Sequence, residues 1–205
     1  MSARIALAVG LPLLWSNTVV PRLPADMRVR TVVNASVATG YAAAFGARPN
    51  WSSARGWRYG LGCAALVAAG YGAAAAIPAV RRGLADRPDR APEVSTAEWI
   101  GVHIPIGTVY SEELIFRATL DPLLDNAFGA RVGTLLGAAT FGLWHIAPAR
   151  SAGENVAVTV ATTTAAGALF GLLGRHTGSA AAPALLHWAI NAGGVLIARF
   201  AARSR

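Results

Sequence analysis

The chain has 205 residues, of which 54% are hydrophobic and only 14% are charged. So few charged side chains cannot cover the surface of a water-soluble domain of this length, and the composition is that of a membrane protein. All 18 basic residues are arginine, and they cluster between the apolar segments or at their edges. This placement predicts contact with membrane lipids and, without a solvated basic domain, argues against nucleic-acid binding.

Seven apolar segments follow one another along the chain. Each is close to the roughly 17 to 25 residues that a helix needs to cross a bilayer. They fall near residues 4–20, 31–46, 59–80, 97–120, 130–147, 154–174 and 179–201. Sequences rich in proline, glycine and arginine separate them, as expected of loops. The sequence therefore predicts an all-α polytopic membrane protein, a bundle of about seven to eight transmembrane helices.

A long polar segment at residues 81–98 divides the chain into two parts. The part before it is rich in alanine and glycine, and the part after it contains every polar cluster within an apolar segment. We expect N-terminal transmembrane helices over residues 1–96 and a second helix bundle over residues 97–205, within one continuous membrane domain. Arginines flank the helices on both sides, so the sequence does not predict the membrane orientation.

Small residues spaced four apart allow two helices to approach closely in a membrane. The second half contains two such pairs, Gly133 with Gly137 and Gly167 with Gly171. They predict close packing in this half without identifying the partner helices. Residues 121–129, between two predicted helices, are expected to form a brief interfacial segment.

The fourth apolar segment contains SEELIFRATL, residues 111–120, with two adjacent glutamates and an arginine. An ionisable side chain within a bilayer costs at least ~2.5 kcal/mol, so such residues usually face the bundle interior and carry function. Glu113 and Arg117 are four residues apart and can form an ion pair on one helix. Glu112 lacks such a partner, so we expect another helix to supply one.

Two later apolar segments carry polar residues that could meet these carboxylates. His145 follows Phe141 by four residues in FGLWH, and His187 precedes Asn191 by four residues in HWAIN. Residues four apart share one helix face. Carboxylates, imidazoles and an amide facing one interior are the groups that activate water and stabilise an oxyanion. A lone histidine in an apolar helix is more often a packing residue, so the interpretation depends on convergence.

Taken together, these stretches resemble the motifs of the CAAX protease and bacteriocin-processing family of intramembrane proteases, abbreviated CPBP and also called Abi. EELIFR matches EExxxR, FGLWH matches FxxxH and HWAIN matches HxxxN, in the order that the family uses. The resemblance extends over about residues 97–200 and implies a catalytic helix bundle that hydrolyses a peptide bond. The family often has glycine after the motif arginine, where this chain has Ala118.

The resemblance also implies roles for the motif residues. Glu112 corresponds to the general base that activates water, aided by His145. His187 and Asn191 correspond to the pair that binds the oxyanion. Glu113 belongs to the same catalytic group and organises the site. This mechanism requires no cofactor.

Two further residues are expected to support the site, Arg117 as the partner of the glutamate pair and Phe141 as part of its motif. An older description of the family as metalloproteases leaves a zinc-dependent version open. In that version Glu112, His145 and His187 would supply the carboxylate and two imidazoles that suit catalytic zinc.

The implied substrate is a membrane-associated peptide or membrane protein. Eukaryotic relatives cut prenylated CAAX tails, but the resemblance does not imply that substrate here. An arginine-only, alanine-rich composition indicates a bacterial source, and hence an integral protein of the bacterial cytoplasmic membrane. The alternative is a non-catalytic membrane immunity or scaffold protein of the same fold, although such a protein has little use for buried carboxylates.

Overall fold

The structure is a computed structural model that describes residues 3–85 and 93–203. Within these ranges it is a bundle of helices without β-strands, which confirms the predicted all-α class. The helices are α1 (Ala3–Arg22), α2 (Met27–Ala44), α3 (Ala54–Ala76), α4 (Pro78–Ala85), α5 (residues 96–128), α6 (Ala130–Trp144), α7 (Ile146–Ser151), α8 (Val156–Thr177) and α9 (Ala181–Arg203). The middle of the predicted polar segment lies outside the described residues.

Five of the seven predicted apolar segments fall largely within one helix. Segment 59–80 runs from α3 past Ile77 into α4, and segment 130–147 runs from α6 past His145 into α7. Within the described parts of the chain, five helical stretches are long and apolar enough to cross a membrane. They are Ala3–Arg22, Ala54–Ala76, Ala130–Ser151, Val156–Thr177 and Ala181–Arg203. The other two segments lie in α2, which is less apolar, and in α5, whose helical hydrogen-bonding pattern changes along its length.

The outer surface of the bundle is covered by aliphatic side chains. Leu66 is 75% exposed, Leu135 70% and Val32 65%. Large exposed apolar patches are rare on soluble monomers, whereas a bilayer solvates them without cost. Together with the five candidate spans, this surface identifies an integral membrane protein.

Short polar side chains begin the helices, as the loop sequences predict. Asp26, Ser53, Ser95 and Asn155 each accept a hydrogen bond from a backbone N–H in the first helical turn, at 2.9 to 3.1 Å. These bonds satisfy donors that a helix leaves free at its N-terminus. Gly178 ends α8 in the left-handed conformation, at φ 63°, which glycine adopts without strain.

The N-terminal helices pack directly on the half that carries the motifs. At Gly60 in α3, a Cβ would lie 3.0 Å from the Cα of Ala182 in α9. The hydroxyl of Tyr71 donates to the carbonyl of Ile190, at 2.9 Å. On another side, the hydroxyl of Ser16 in α1 donates to a carbonyl at the end of α6, at 2.6 Å. These contacts fix α9, which carries His187, and the end of α6, which His145 follows directly.

A polar network holds the beginning of α5 against α2. Arg28 donates two hydrogen bonds to Glu98, at 2.7 and 3.0 Å, and these bonds lower the pKa of Glu98 to about 2. Glu98 also lies 3.2 Å from Nε2 of the buried His103, whose Nδ1 is 2.7 Å from the hydroxyl of Thr31. The network therefore joins the beginning of α5 to α2.

Two stretches of π-helix, Trp99–Tyr110 and Phe116–Leu120, flank the α-helical turn Ser111–Ile115 in α5. Ser111 and Thr119 donate to carbonyls five residues earlier, at 3.1 and 2.7 Å, as the wider π turn allows. π-helical turns are frequent at functional sites. Here they lie on both sides of the turn that carries the glutamates.

The interfacial location expected of residues 121–129 stays a prediction. Up to residue 128 they continue α5 as the helix Asp121–Phe128, in which Asp121 is 5% exposed and Leu124 is fully buried. The reason is the close approach of α6, which follows directly after Gly129 at a positive φ of 80°. The tight connection turns α6 back along the end of α5 and buries one of its faces.

We predict that Gly60→Val lowers the stability of the bundle by about 1–3 kcal/mol, because the larger side chain overpacks the contact with α9. The Cβ position is already 2.8 Å from Cδ1 of Leu185. Thermal unfolding in detergent would measure the effect. Gly62→Val is the matched control in the same helix, since nothing lies within 4 Å of its Cβ position. Equal loss in both variants would contradict the packing.

Candidate active site

The turn Ser111–Ile115 places both motif glutamates inside the bundle. Glu112 is 7% exposed and Glu113 is fully buried. Buried carboxylates are tolerated only when other groups compensate their charge. The groups that do so come from three other helices and from the next turns of α5.

His187 on α9 lies between the two glutamates. Its Nδ1 is 2.8 Å from Oε1 of Glu113, and its Nε2 is 3.9 Å from Oε2 of Glu112. An ionised carboxylate only accepts hydrogen bonds, so Nδ1 carries the hydrogen that it donates to Glu113. Nε2 is then directed towards Glu112. This contact gives Glu112 the interhelical partner that it lacks on α5.

Trp144 on α6 is a second partner of Glu112. The indole Nε1–H donates to Oε1 of Glu112, at 3.3 Å. Oε2 of Glu112 is buried and accepts no hydrogen bond from the described residues. One carboxylate oxygen is thus fixed and the other is free to take a proton. The sequence motifs did not single out Trp144, because they draw attention to the histidine beside it.

His145 lies where α6 ends and α7 begins, and it is only half-buried. Its Nδ1 is 2.8 Å from the carbonyl oxygen of Phe141, and its ring meets the Phe141 ring edge-on. No hydrogen bond or ion pair within the described residues joins it to Glu112 or His187. Asn191 lies one turn after His187 and is half-buried, without a side-chain hydrogen bond to a described residue. The contacts therefore unite both glutamates with His187, but not with the other two motif residues.

Arg117 forms a buried ion pair with Glu113, as the four-residue spacing predicts. Its Nε lies 3.3 Å from Oε2 of Glu113, and the two side chains are 1% and 0% exposed. Two such charges in an apolar interior stabilise each other only by their proximity, since neither is hydrated. Removal of either one would leave the other uncompensated.

Three phenylalanine rings surround the Arg117 guanidinium. Its central carbon lies 5.6 Å from the ring centroid of Phe116, 4.8 Å from that of Phe141 and 5.6 Å from that of Phe170. Aromatic faces attract a cation, and more strongly when it is desolvated. Gly167 on α8 makes room for Phe141, because a Cβ there would lie 3.0 Å from the Cβ of Phe141. Phe141 thus contacts the site through the arginine.

The buried charges continue beyond the motif. Nη1 of Arg117 lies 3.5 Å from Oδ2 of Asp121, which lies 3.6 Å from Nη1 of Arg175 on α8. Arg175 donates two hydrogen bonds to Asp125, at 2.8 and 2.9 Å. None of these three residues was predicted from the sequence. A signal was present in the four-residue spacing that places Glu113, Arg117 and both aspartates on one face of α5.

Glycines of both predicted pairs lie directly against these charged side chains. A Cβ on Gly137 would overlap the carboxylate of Asp121, and a Cβ on Gly133 would overlap that of Asp125. A Cβ on Gly171 would lie 2.6 Å from Nη1 of Arg175. The glycines of α6 and α8 therefore give these charged side chains the space that they occupy.

Two cavities adjoin the motif helices. One has a volume of 230 Å³ and is lined in part by Arg117, Asp121 and Arg175. The other, of 350 Å³, is an apolar groove between α3, α5 and α9, lined in part by Trp57 and Trp188. Neither cavity is lined by Glu112 or His187.

The zinc alternative was tested against the donor atoms. Among the described residues, no three His, Cys, Asp or Glu side chains are arranged to hold a metal ion. Nδ1 of His187 is engaged by Glu113 and Nδ1 of His145 by a backbone carbonyl. The set of Glu112, His145 and His187 is therefore not assembled as a ligand group in this arrangement.

Residues 95–193 match the family model described as type II CAAX prenyl endopeptidase Rce1-like. The match includes all three motifs, from the first glutamate to Asn191. Over these residues, just under half of the chain, the sequence is similar to the CAAX protease family. The resemblance drawn from the motifs is confirmed, and the match supports a protease at family level. No curated protein and no solved structure matches the chain significantly.

We predict that Arg117→Met destabilises the protein by about 3–5 kcal/mol, because it leaves buried carboxylates without compensation. Denaturant unfolding in detergent micelles measures the change. Arg28→Met is the matched control, since Arg28 pairs with a carboxylate at the exposed end of the bundle. We expect little change there, because solvent screens such a pair. Similar losses in both variants would contradict a special role for burial.

Proposed function

We propose that the protein is an intramembrane endopeptidase that hydrolyses a peptide bond of a membrane-associated peptide or protein. One observation carries the proposal. Glu112 presents a buried carboxylate oxygen without a hydrogen bond, 3.9 Å from Nε2 of His187. A base and a hydrogen-bond donor that share one dry interior can act on the same small group.

In the proposed reaction Glu112 is the general base. Its free Oε2 takes a proton from a water molecule, and the water oxygen attacks the carbonyl carbon of the scissile bond. The π electrons of the carbonyl move to its oxygen, which becomes an oxyanion. The C–N bond then breaks, and Glu112 returns the proton to the leaving amine. Water is consumed, and a carboxylic acid and an amine are formed.

His187 is the proposed donor to the oxyanion. When its ring carries hydrogens on both nitrogens, Nδ1–H binds Glu113 and Nε2–H points towards the reacting atoms. The negative charge of Glu113 compensates the positive ring. Donors fixed in advance in a low-dielectric site are worth more than the same donors in water. Asn191, one turn along α9, supplies the second donor in the family's pattern.

Trp144 and His145 complete the proposed site. The Trp144 indole holds one oxygen of Glu112 and so directs the other towards the water. Nδ1 of His145 is engaged by a backbone carbonyl, so its Nε2 is the ring atom available to bind that water. His145 thus assists Glu112 without transferring the proton itself.

The proposed partners follow from the surface and the depth of the site. Membrane lipids cover the aliphatic exterior, and the substrate approaches within the bilayer or at its edge. The arginine-rich, lysine-free composition favours the bacterial cytoplasmic membrane as the location. No part of the proposal involves nucleic acid.

We predict that Glu112→Gln abolishes cleavage, with a loss of at least ~100-fold, because an amide cannot take a proton from water. Purified protein in detergent, incubated with a library of apolar peptides, provides the assay. Glu93→Gln is the matched control at an exposed position and should cleave at the wild-type rate. Both variants should unfold at the temperature of the wild type.

The non-catalytic alternative makes the opposite prediction. If the protein is an immunity or scaffold protein, the wild type cleaves no peptide and Glu112→Gln leaves partner binding unchanged. Cleavage that persists in a folded Glu112→Gln variant would remove Glu112 from the role of base.

We also predict that the activity needs no metal. Exhaustive chelation followed by assay should leave the rate unchanged, and elemental analysis should find no stoichiometric zinc. Loss of activity that added zinc restores would contradict the metal-free mechanism. It would favour the version in which Glu112, His145 and His187 bind the metal.

A further inference from the structure

The charges beyond Arg117 have no part in the reaction steps above. Asp121 lies between two guanidinium groups, 3.5 Å from Nη1 of Arg117 and 3.6 Å from Nη1 of Arg175. It therefore connects the motif arginine on α5 with an arginine on α8. Its side chain is 7% exposed, so water screens these interactions little.

The position of Arg117 depends on charge and not on directional bonds. Its three side-chain nitrogens are buried and make no hydrogen bond with the described residues. The guanidinium is placed by the attraction of Glu113 on one side and Asp121 on the other, within its phenylalanine rings. Because ion-pair energy changes smoothly with distance, a displacement of Asp121 moves the arginine.

Displacement of Arg117 reaches His187 through one intermediate group. Glu113 is fully buried and has one oxygen 3.3 Å from Arg117 and the other 2.8 Å from Nδ1 of His187. When Arg117 moves, its attraction moves the Glu113 carboxylate. The hydrogen bond from Nδ1 of His187 to that carboxylate then moves the imidazole ring. The His187 ring is also stacked on Phe170, with centroids 4.9 Å apart, so it can slide along that face.

We propose that Asp121 and Arg175 are positioning residues that set the orientation of the His187 imidazole through Arg117 and Glu113. The inference rests on the proposed function, because it assigns them to the same reaction. A misplacement of about 1 Å can lower a catalytic rate about 100-fold. Positioning residues of this kind act on the rate and not on substrate binding.

The cavity beside these residues does not favour an anion as its ligand. Arg117 and Arg175 line this cavity. They are paired with three carboxylates, those of Glu113, Asp121 and Asp125, so the five side chains together carry a net negative charge. The arginines are thus engaged by the protein itself. This count supports a structural chain of charges that ends at His187.

Gly171 offers a test that removes no charge. A Cβ at this position would lie 2.6 Å from Nη1 of Arg175 and 3.1 Å from Oδ2 of Asp121, so the methyl group must displace the pair. We expect Gly171→Ala to lower kcat about 10- to 100-fold with KM unchanged. Gly72→Ala is the matched control, with nothing within 4 Å of its Cβ position and no expected change.

Asp121→Asn tests the charge itself. We expect the same fall in kcat with KM unchanged, since the amide no longer attracts Arg117. Arg175→Lys keeps the positive charge beside Asp121 and should retain most of the activity. If Asp121→Asn does not fold, the Gly171→Ala variant decides the question alone.

A spectroscopic readout keeps this test separate from the proposed function. The full chain, labelled with ¹⁵N-histidine in micelles, gives ring signals that report the hydrogen on each nitrogen. His187→Gln assigns the His187 signal by its loss. We expect Gly171→Ala and Asp121→Asn to shift that signal, while Gly72→Ala leaves it unchanged.

The outcomes separate the two claims. Absence of cleavage by the wild type contradicts the proposed function, yet a shifted His187 signal would still support positioning. Unchanged His187 signals in the folded Gly171→Ala and Asp121→Asn variants would overturn the inference, whatever their rates. A fall in kcat accompanied by an equal rise in KM would also contradict it.

Discussion

The buried ion pair between Glu113 and Arg117 is the interaction on which the arrangement of the motif helices depends. Neither group reaches solvent, and each one alone would be strongly unfavourable in the bundle. Compensation comes from His187 on α9 and from Asp121 and Arg175 at the junction of α5 and α8. The pair is therefore stable only where α5, α8 and α9 meet at the same level along the bundle. The geometry of the site follows from that requirement.

The adjacent glutamates divide two tasks between them. Neighbouring residues on a helix point about 100° apart, so Glu113 faces the arginine while Glu112 faces the space near Trp144. Oε2 of each glutamate makes no hydrogen bond with the described residues. That of Glu113 lies 3.3 Å from the permanently charged Arg117, whereas that of Glu112 lies 3.9 Å from Nε2 of His187. The carboxylate with the more distant partner is the one proposed for the chemistry.

Close packing around polar groups explains the glycines and phenylalanines of the second half. Glycines on α6 and α8 occupy the positions at which a methyl group would strike a charged side chain or the ring of Phe141. The rings of Phe116, Phe141 and Phe170 then exclude water from Arg117 while attracting its charge. Small residues and aromatic rings together make an ionic interior compatible with an aliphatic exterior.

The sequence by itself determined the all-α membrane class and most of the helical segments, because apolar length is a local property. Its three motifs carried the family resemblance. It also predicted the Glu113–Arg117 pair, whose partners share one helix. Only the tertiary structure decided that Trp144 binds Glu112 and that Arg175 on α8 extends the chain of charges. Those contacts join residues distant in sequence, and the packing angle of one helix on another selects them. Local spacing carries no information about that angle.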